Sequence, residues 1–164
     1  MEKKTAYIAL GGNVGNRSRT LLTAVCKMDE TDGIEVRQVS QFVETEPVGP
    51  PGQPKYYNAA AEILTTLSPH ELLEQLHRIE AELGRNREKE QRWGARTCDL
   101  DILLMERTVI DEPEGLKIPH PRLHERLFVL RPLAQLAPDA IHPTLKRTVV
   151  ELLIDAEVGK GDAS

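Results

Sequence analysis

Aromatic residues are scarce in this chain: one Trp, three Tyr and two Phe among 164 residues. A surface that reads nucleic acid needs stacking rings and a basic field, and this chain has neither in general supply. Its 26 acidic and 21 basic residues leave a formal net charge of −5, which argues against broad affinity for nucleic acid or anionic membrane. Cysteine is equally sparse. Cys26 and Cys98 both fall in apolar patterns and read as buried thiols, so no disulfide framework is expected and a reducing cytoplasm fits. No apolar run approaches the length of a membrane span, and the opening MEKKTAYIAL lacks the apolar core and cleavage site of a signal peptide. Internal repeats and low-complexity tracts are absent too. What is present is ordinary globular composition, 40% hydrophobic and 29% charged, enough for one domain over 1–156 with a flexible tail over 157–164.

Residues 5–10, TAYIAL, read as a strand ending in Gly11-Gly12-Asn13, where glycine permits close approach of a neighbour. A helix follows, with Leu21, Leu22, Val25, Cys26 and Met28 inward, and Gly33 breaks it. Ile34 to Thr45 reads as one long strand and Tyr57 to Leu67 as the next. Between them EPVGPPGQPK, with four prolines and two glycines, is either a mobile surface flap or a shaped substrate wall. Ser68-Pro69-His70-Glu71 is a capping box, and Leu72, Leu73, Leu76, Ile79 and Leu83 form a helical stripe up to Gly84. Further on come a hairpin through Val109-Ile110 and Leu116-Ile118, a helical stretch around Phe128, and a closing helix over 144–156. This mixture without a strict βαβ repeat favours α+β, an antiparallel sheet with helices packed on it.

The most informative segment is RWGARTCDLDILL, 92–104. Cys98, Leu100, Ile102 and Leu104 alternate with Asp99, Asp101 and Leu103, a strand with one apolar face. Residues i and i+2 share a side, so both carboxylates point the same way, roughly 6.5–7 Å apart at Cα. Alone, such a pair is also what a solvated polar edge looks like. Its neighbours favour chemistry: Arg85, Arg87, Lys89, Arg92 and Arg96 oppose only Glu88 and Glu90 just upstream. A short basic loop leading into an acidic strand suits one small polyanion with its divalent metal.

YIALGGN at 7–13, YYNAA at 56–60, RWGARTCDLDILL at 92–104 and IPHPRL at 118–123 together resemble the 6-hydroxymethyl-7,8-dihydropterin pyrophosphokinase family. The resemblance implies a ferredoxin-like antiparallel sheet with helices on both sides, in α-β-α layers. It implies transfer of a diphosphoryl group from ATP to the pterin hydroxymethyl, giving AMP, with two Mg²⁺ ions. Charge balance and cysteine usage add the expectation of a cytoplasmic, monomeric catalytic domain that engages neither nucleic acid nor membrane. Carried over by position, the metal ligands are Asp99 and Asp101, and the catalytic set adds Arg87 and Arg96. The ATP-binding positions are Glu80, Arg85, Arg87, Arg92, Arg96, His120 and Arg126. Guanidinium suits that task because its planar fork holds phosphate bidentately. The pterin positions are Thr45, Val48, Tyr56, Asn58, Trp93 and Phe128, rings to stack on and an amide to pair with.

The chain departs from the family pattern in places. TEPVGP stands where TPPLGP is common, placing Glu46 and Val48 at a proline and a leucine position. The loop 85–92 is one residue longer, so Arg85 and Arg87 compete for one role, and His77 stands where glutamine is expected near adenine. No residue stands out as a general base. Two rival readings use the same residues: a Mg-dependent nucleotide phosphohydrolase, and a non-catalytic ferredoxin-like binding module.

Overall fold

Alternation in the first strand sends Ala6, Ile8 and Leu10 to one side and Tyr7 and Ala9 to the other, which suits a central strand covered on both faces. The computed structural model describes residues 2–12, 17–46, 52, 55–84 and 98–163. Its elements are β1 (Lys4–Gly12), α1 (Arg17–Asp29), β2 (Ile34–Val39), β3 (Val43–Thr45), β4 (Tyr56–Thr65), α2 (Pro69–Glu82) and β5 (Asp99–Met105). There follow β6 (Ile110–Asp111), β7 (Lys117–Ile118), a 3₁₀ turn (Leu123–Glu125), α3 (Leu127–Leu136), β8 (Ile141–His142), β9 (Arg147–Thr148) and α4 (Val149–Ala163). The main sheet is antiparallel in the order β2-β4-β1-β5, and β3 also pairs with β4. Two small hairpins, β6-β7 and β8-β9, stand apart from it.

One sheet face (Ile8, Leu10, Ala61, Ile63, Leu100, Ile102) packs with Leu21, Ala24 and Met28 of α1 and Leu72, Leu76 and Ile79 of α2. On the other, Ala60, Leu103 and Leu104 pack with Leu130 and Leu133 of α3 and Val149 and Leu152 of α4. The expected capping box opens α2. Ser68 Oγ accepts from the Glu71 N–H at 3.2 Å, and Glu71 Oε1 accepts from the Ser68 N–H at 2.9 Å.

Four expectations need correction. Ile34–Thr45 is two strands, because extra residues bulge out of the pairing with β4: Val36 faces Ile63 but Gln38 faces Glu62, and Val39 faces Ala61 but Val43 faces Asn58. The first bulge brings Val36 and Val39, three apart, to one face. A third bulge, in β5, turns Leu104 from the Ile102 side to join Leu103. In α1, Leu22 and Cys26 are exposed, because burial follows Leu21, Ala24, Val25 and Met28 around the helix. Finally, the closing helix begins at Val149 and runs to Ala163. Residues 144–148 are spent on the β8-β9 turn and on a capping box that reading the segment as helix from 144 overlooks, Thr148 with Glu151. Arg131 of α3 holds Glu157 at 2.9 Å, tying α4 beyond Ala156. Among the described residues no helix is long and apolar enough to cross a membrane.

Candidate active site

Register across three strands assembles the candidate site. Gly11 of β1 lies opposite Asn58 of β4 on one side and Asp99 of β5 on the other. Two residues back, Ala9 lies between Ala60 and Asp101. Because side chains alternate, these six residues share one face, the face that α3 covers. Thr45 and Tyr56 extend it outward as a directly opposed pair, and Thr45 Oγ1 accepts from Asn58 Nδ2 at 2.8 Å. With strands spaced about 4.8 Å apart, Asn58 and Asp99 stand roughly 10 Å apart across a residue that has no side chain. A Cβ on Gly11 would meet Asn58 Oδ1 at 3.0 Å. The Asp99/Asp101 donor set is two hard carboxylate groups on one side of one strand, which fits Mg²⁺ in chemistry and number.

The cationic side of the site comes from the segment after β7. The β5 bulge leaves Leu103 outside the β1 register, and its carbonyl accepts the His120 N–H at 3.0 Å. That bond fastens the cis Ile118–Pro119 segment onto β5. The His120 ring Nδ1 accepts the Arg122 N–H at 3.2 Å, which leaves Nε2 as the protonated donor of the neutral ring. Burial, then the charges of Arg126 and Arg122, push the His120 pKa down to about 4. Arg126 is half-buried. Burial and Arg122 lower its pKa, opposed by Asp101, Glu125 and Asp99. Its guanidinium lies 5.7 Å from the centre of the Phe128 ring, at the start of α3.

The lowered His120 value has a testable consequence. Because the folded value of about 4 lies below the ordinary 6.5, the unfolded chain binds this proton more tightly. The group's contribution is complete above the unfolded value and is lost as pH falls through the folded one. The loss amounts to about 3 kcal/mol between pH near 6.5 and pH near 4. Thermal melts at neutral and acid pH should therefore show a smaller acid loss for His120→Gln than for wild type. Equal losses would mean that the native ring takes up its proton freely.

A metal-suited carboxylate pair, a fixed cation and an amide-aromatic cluster on one face call for comparison with known proteins. The family model for 7,8-dihydro-6-hydroxymethylpterin-pyrophosphokinase (HPPK) matches residues 7–138. The chain belongs to this family. It is 53% identical over 131 residues to 2-amino-4-hydroxy-6-hydroxymethyldihydropteridine pyrophosphokinase of Bacillus subtilis, covering 80% of this chain and 77% of that one. The enzyme of the same name from Haemophilus influenzae is 43% identical over 149 residues, 91% of each chain. The fold also resembles Plasmodium falciparum HPPK-DHPS solved with pteroate, at TM-score 0.73 and 15% identity, covering 94% of this chain and 42% of that one. The chain thus spans under half of that longer protein, and 21% of the folic acid synthesis protein fol1 of Pneumocystis carinii, to which it is 38% identical over 96% of its own length. As an HPPK, it is an ATP-dependent pyrophosphokinase that acts on 6-hydroxymethyl-7,8-dihydropterin in folate synthesis.

Of the HPPK positions read from the sequence, Asp99, Asp101, Arg126, Phe128, Thr45, Tyr56 and Asn58 gather around this one sheet face. His120 joins them through its backbone bond to Leu103 and through the field of Arg126. Val48, Arg85, Arg87, Arg92, Trp93 and Arg96 lie outside the described residues, as do most of the flap and all of the basic loop. His77 and Glu80 do not share an environment despite their i, i+3 spacing: His77 is exposed, whereas Glu80 is 1% exposed. Two contributors to the site were missed in the sequence. Gly11 matters through what stands on either side of it, which only register shows. Leu103 matters through a carbonyl that only a bulge releases.

Proposed function

We propose that the face bearing Asn58, Gly11 and Asp99 is where diphosphoryl transfer takes place. The observation that carries this is the row itself, an amide suited to a heterocycle edge, a glycine with no side chain and a metal-suited carboxylate on three neighbouring strands. The pterin lies toward Thr45, Tyr56, Asn58 and Phe128, with Val48 and Trp93 completing its surroundings as the family resemblance implies. Its hydroxymethyl oxygen reaches over Gly11 and attacks the β-phosphorus in line. The bond from that phosphorus to the bridging oxygen breaks, AMP departs with the electron pair, and the hydroxyl proton passes to solvent.

Asp99 and Asp101 would hold two Mg²⁺ ions with the triphosphate, which neutralise phosphate charge when bound. Arg126 supplies a cation preset by burial and by its contact with Phe128. Neutral His120 offers Nε2–H to a phosphate oxygen without adding a charge. Arg85 or Arg87, with Arg92 and Arg96, grips the remaining phosphate oxygens, and positioning rather than acid-base work carries the rate. The strand order β2-β4-β1-β5, with α1 and α2 as crossovers, supports the ferredoxin-like reading of the fold. A single cytoplasmic, monomeric domain engaging neither nucleic acid nor membrane agrees with the acidic charge.

One assay tests the reading. Incubation with MgATP should release AMP only when 6-hydroxymethyl-7,8-dihydropterin is present. Release without the pterin would make the protein a phosphohydrolase, and absence of Mg²⁺-dependent nucleotide binding would reduce it to a binding module.

A further inference from the structure

The helix α2 buries Leu72, Leu76 and Ile79, and the next position on this face is a carboxylate, Glu80, only 1% exposed. A charged group there needs a reason, since apolar side chains fill such positions more cheaply. Glu80 Oε2 accepts the backbone N–H of Leu100 at 2.7 Å. Leu100 is the residue between Asp99 and Asp101, and β5 is the outermost strand of the main sheet, with β1 on its paired side. An edge strand has backbone groups on its outer side that no neighbouring strand satisfies. Glu80 takes up the one lying between the two aspartates, with a short hydrogen bond.

We propose that Glu80 is a positioning residue for the Asp99/Asp101 pair rather than a nucleotide contact. This rests on the assignment of those aspartates to the metal. The acceptor is buried and carried on a helix whose capping box and apolar stripe fix it against the sheet. The donor lies at the midpoint of the pair, so its placement sets the pleat on which both carboxylates stand. The Leu100 side chain is itself fully buried in the core that α2 shares, which fastens the same residue a second time. Groups behind metal ligands commonly matter 10–100-fold for affinity or rate, because they hold the ligands in one orientation.

The test compares Glu80→Leu, Glu80→Gln and Glu80→Asp, with Asp99→Asn as control. The readouts are melting temperature, kcat and KM for each substrate, and Mn²⁺ affinity by electron paramagnetic resonance with a nonhydrolysable ATP analogue. Glu80→Leu fills the same space without an acceptor. It should melt cooperatively while kcat and Mn²⁺ affinity fall together, each roughly 10–100-fold, with KM for the pterin unchanged. Glu80→Gln keeps an acceptor oxygen and should retain both within a few-fold. Unchanged kcat and Mn²⁺ affinity in Glu80→Leu would overturn the proposal, as would a loss confined to KM for ATP. If Glu80→Leu fails to fold, Glu80→Asp decides, since it withdraws the oxygen by one methylene and must lose both quantities while Glu80→Gln keeps them. Unaltered Mn²⁺ affinity in Asp99→Asn would instead refute the metal assignment itself.

Discussion

Asp101→Asn should lower kcat by ~10³-fold or more, equivalent to about 4 kcal/mol of transition-state stabilisation, and Asp99→Asn should behave likewise. Both residues stand half-buried on the sheet face beside Ala9 and Gly11, not in the packed core, and asparagine keeps their shape. The folded protein should therefore survive, with a melting temperature close to that of wild type. On the proposed metal role, the change removes a hard anionic ligand and replaces it with a neutral amide, a far weaker donor to Mg²⁺. It also removes one of the three negative charges, with Glu125 and the other aspartate, that oppose the lowering of the Arg126 pKa. Pterin-dependent AMP production measured at saturating substrates checks the result. Near-wild-type turnover in either variant would separate the carboxylate pair from the chemistry.

Gly11→Val should leave nucleotide binding largely intact and cut kcat/KM for the pterin roughly 10²-fold, about 2.7 kcal/mol, within the range that a packed clash costs. A single Cβ at this position already meets Asn58 Oδ1 at 3.0 Å, and valine adds two further carbons above the same spot. Asn58 cannot give way freely, because its other amide atom is bonded to Thr45 Oγ1 at 2.8 Å. Valine is a good strand residue, so β1 should persist between β4 and β5. The decisive comparison is between the two substrates. If the loss falls equally on ATP and pterin, or on neither, the acceptor does not cross above Gly11.

Much of the architecture was written locally. The capping box at Ser68 and Glu71 was readable because its two hydrogen bonds join residues three apart. Thr148 and Glu151 carry the same signature, and it marks the start of α4. The bulges were harder. Val36 and Val39 are three apart, which a regular strand would send to opposite faces; the apolar pair was visible, but the extra residue that reconciles them is a property of pairing with β4. Cys26 looked buried because a helix with five apolar candidates does not say which stripe the sheet will cover. Glu80 shows the same limit at the site. It stands three residues from His77 on one helix, yet Glu80 turns into the core and His77 to solvent.

The sequence by itself determined that Asp99 and Asp101 face one way, because period-2 alternation is a property of the strand and needs no partner. It also placed Tyr56 beside Asn58, and a histidine in a proline-flanked segment. Only the tertiary structure decided what the aspartates face. Pairing register put Gly11 and Asn58 across from Asp99, a bulge freed the Leu103 carbonyl to hold His120, and the packing of α2 brought Glu80 behind the pair. The physical reason is that a side chain's direction is set by its own backbone, whereas its neighbours are set by contacts between strands and helices far apart in the chain.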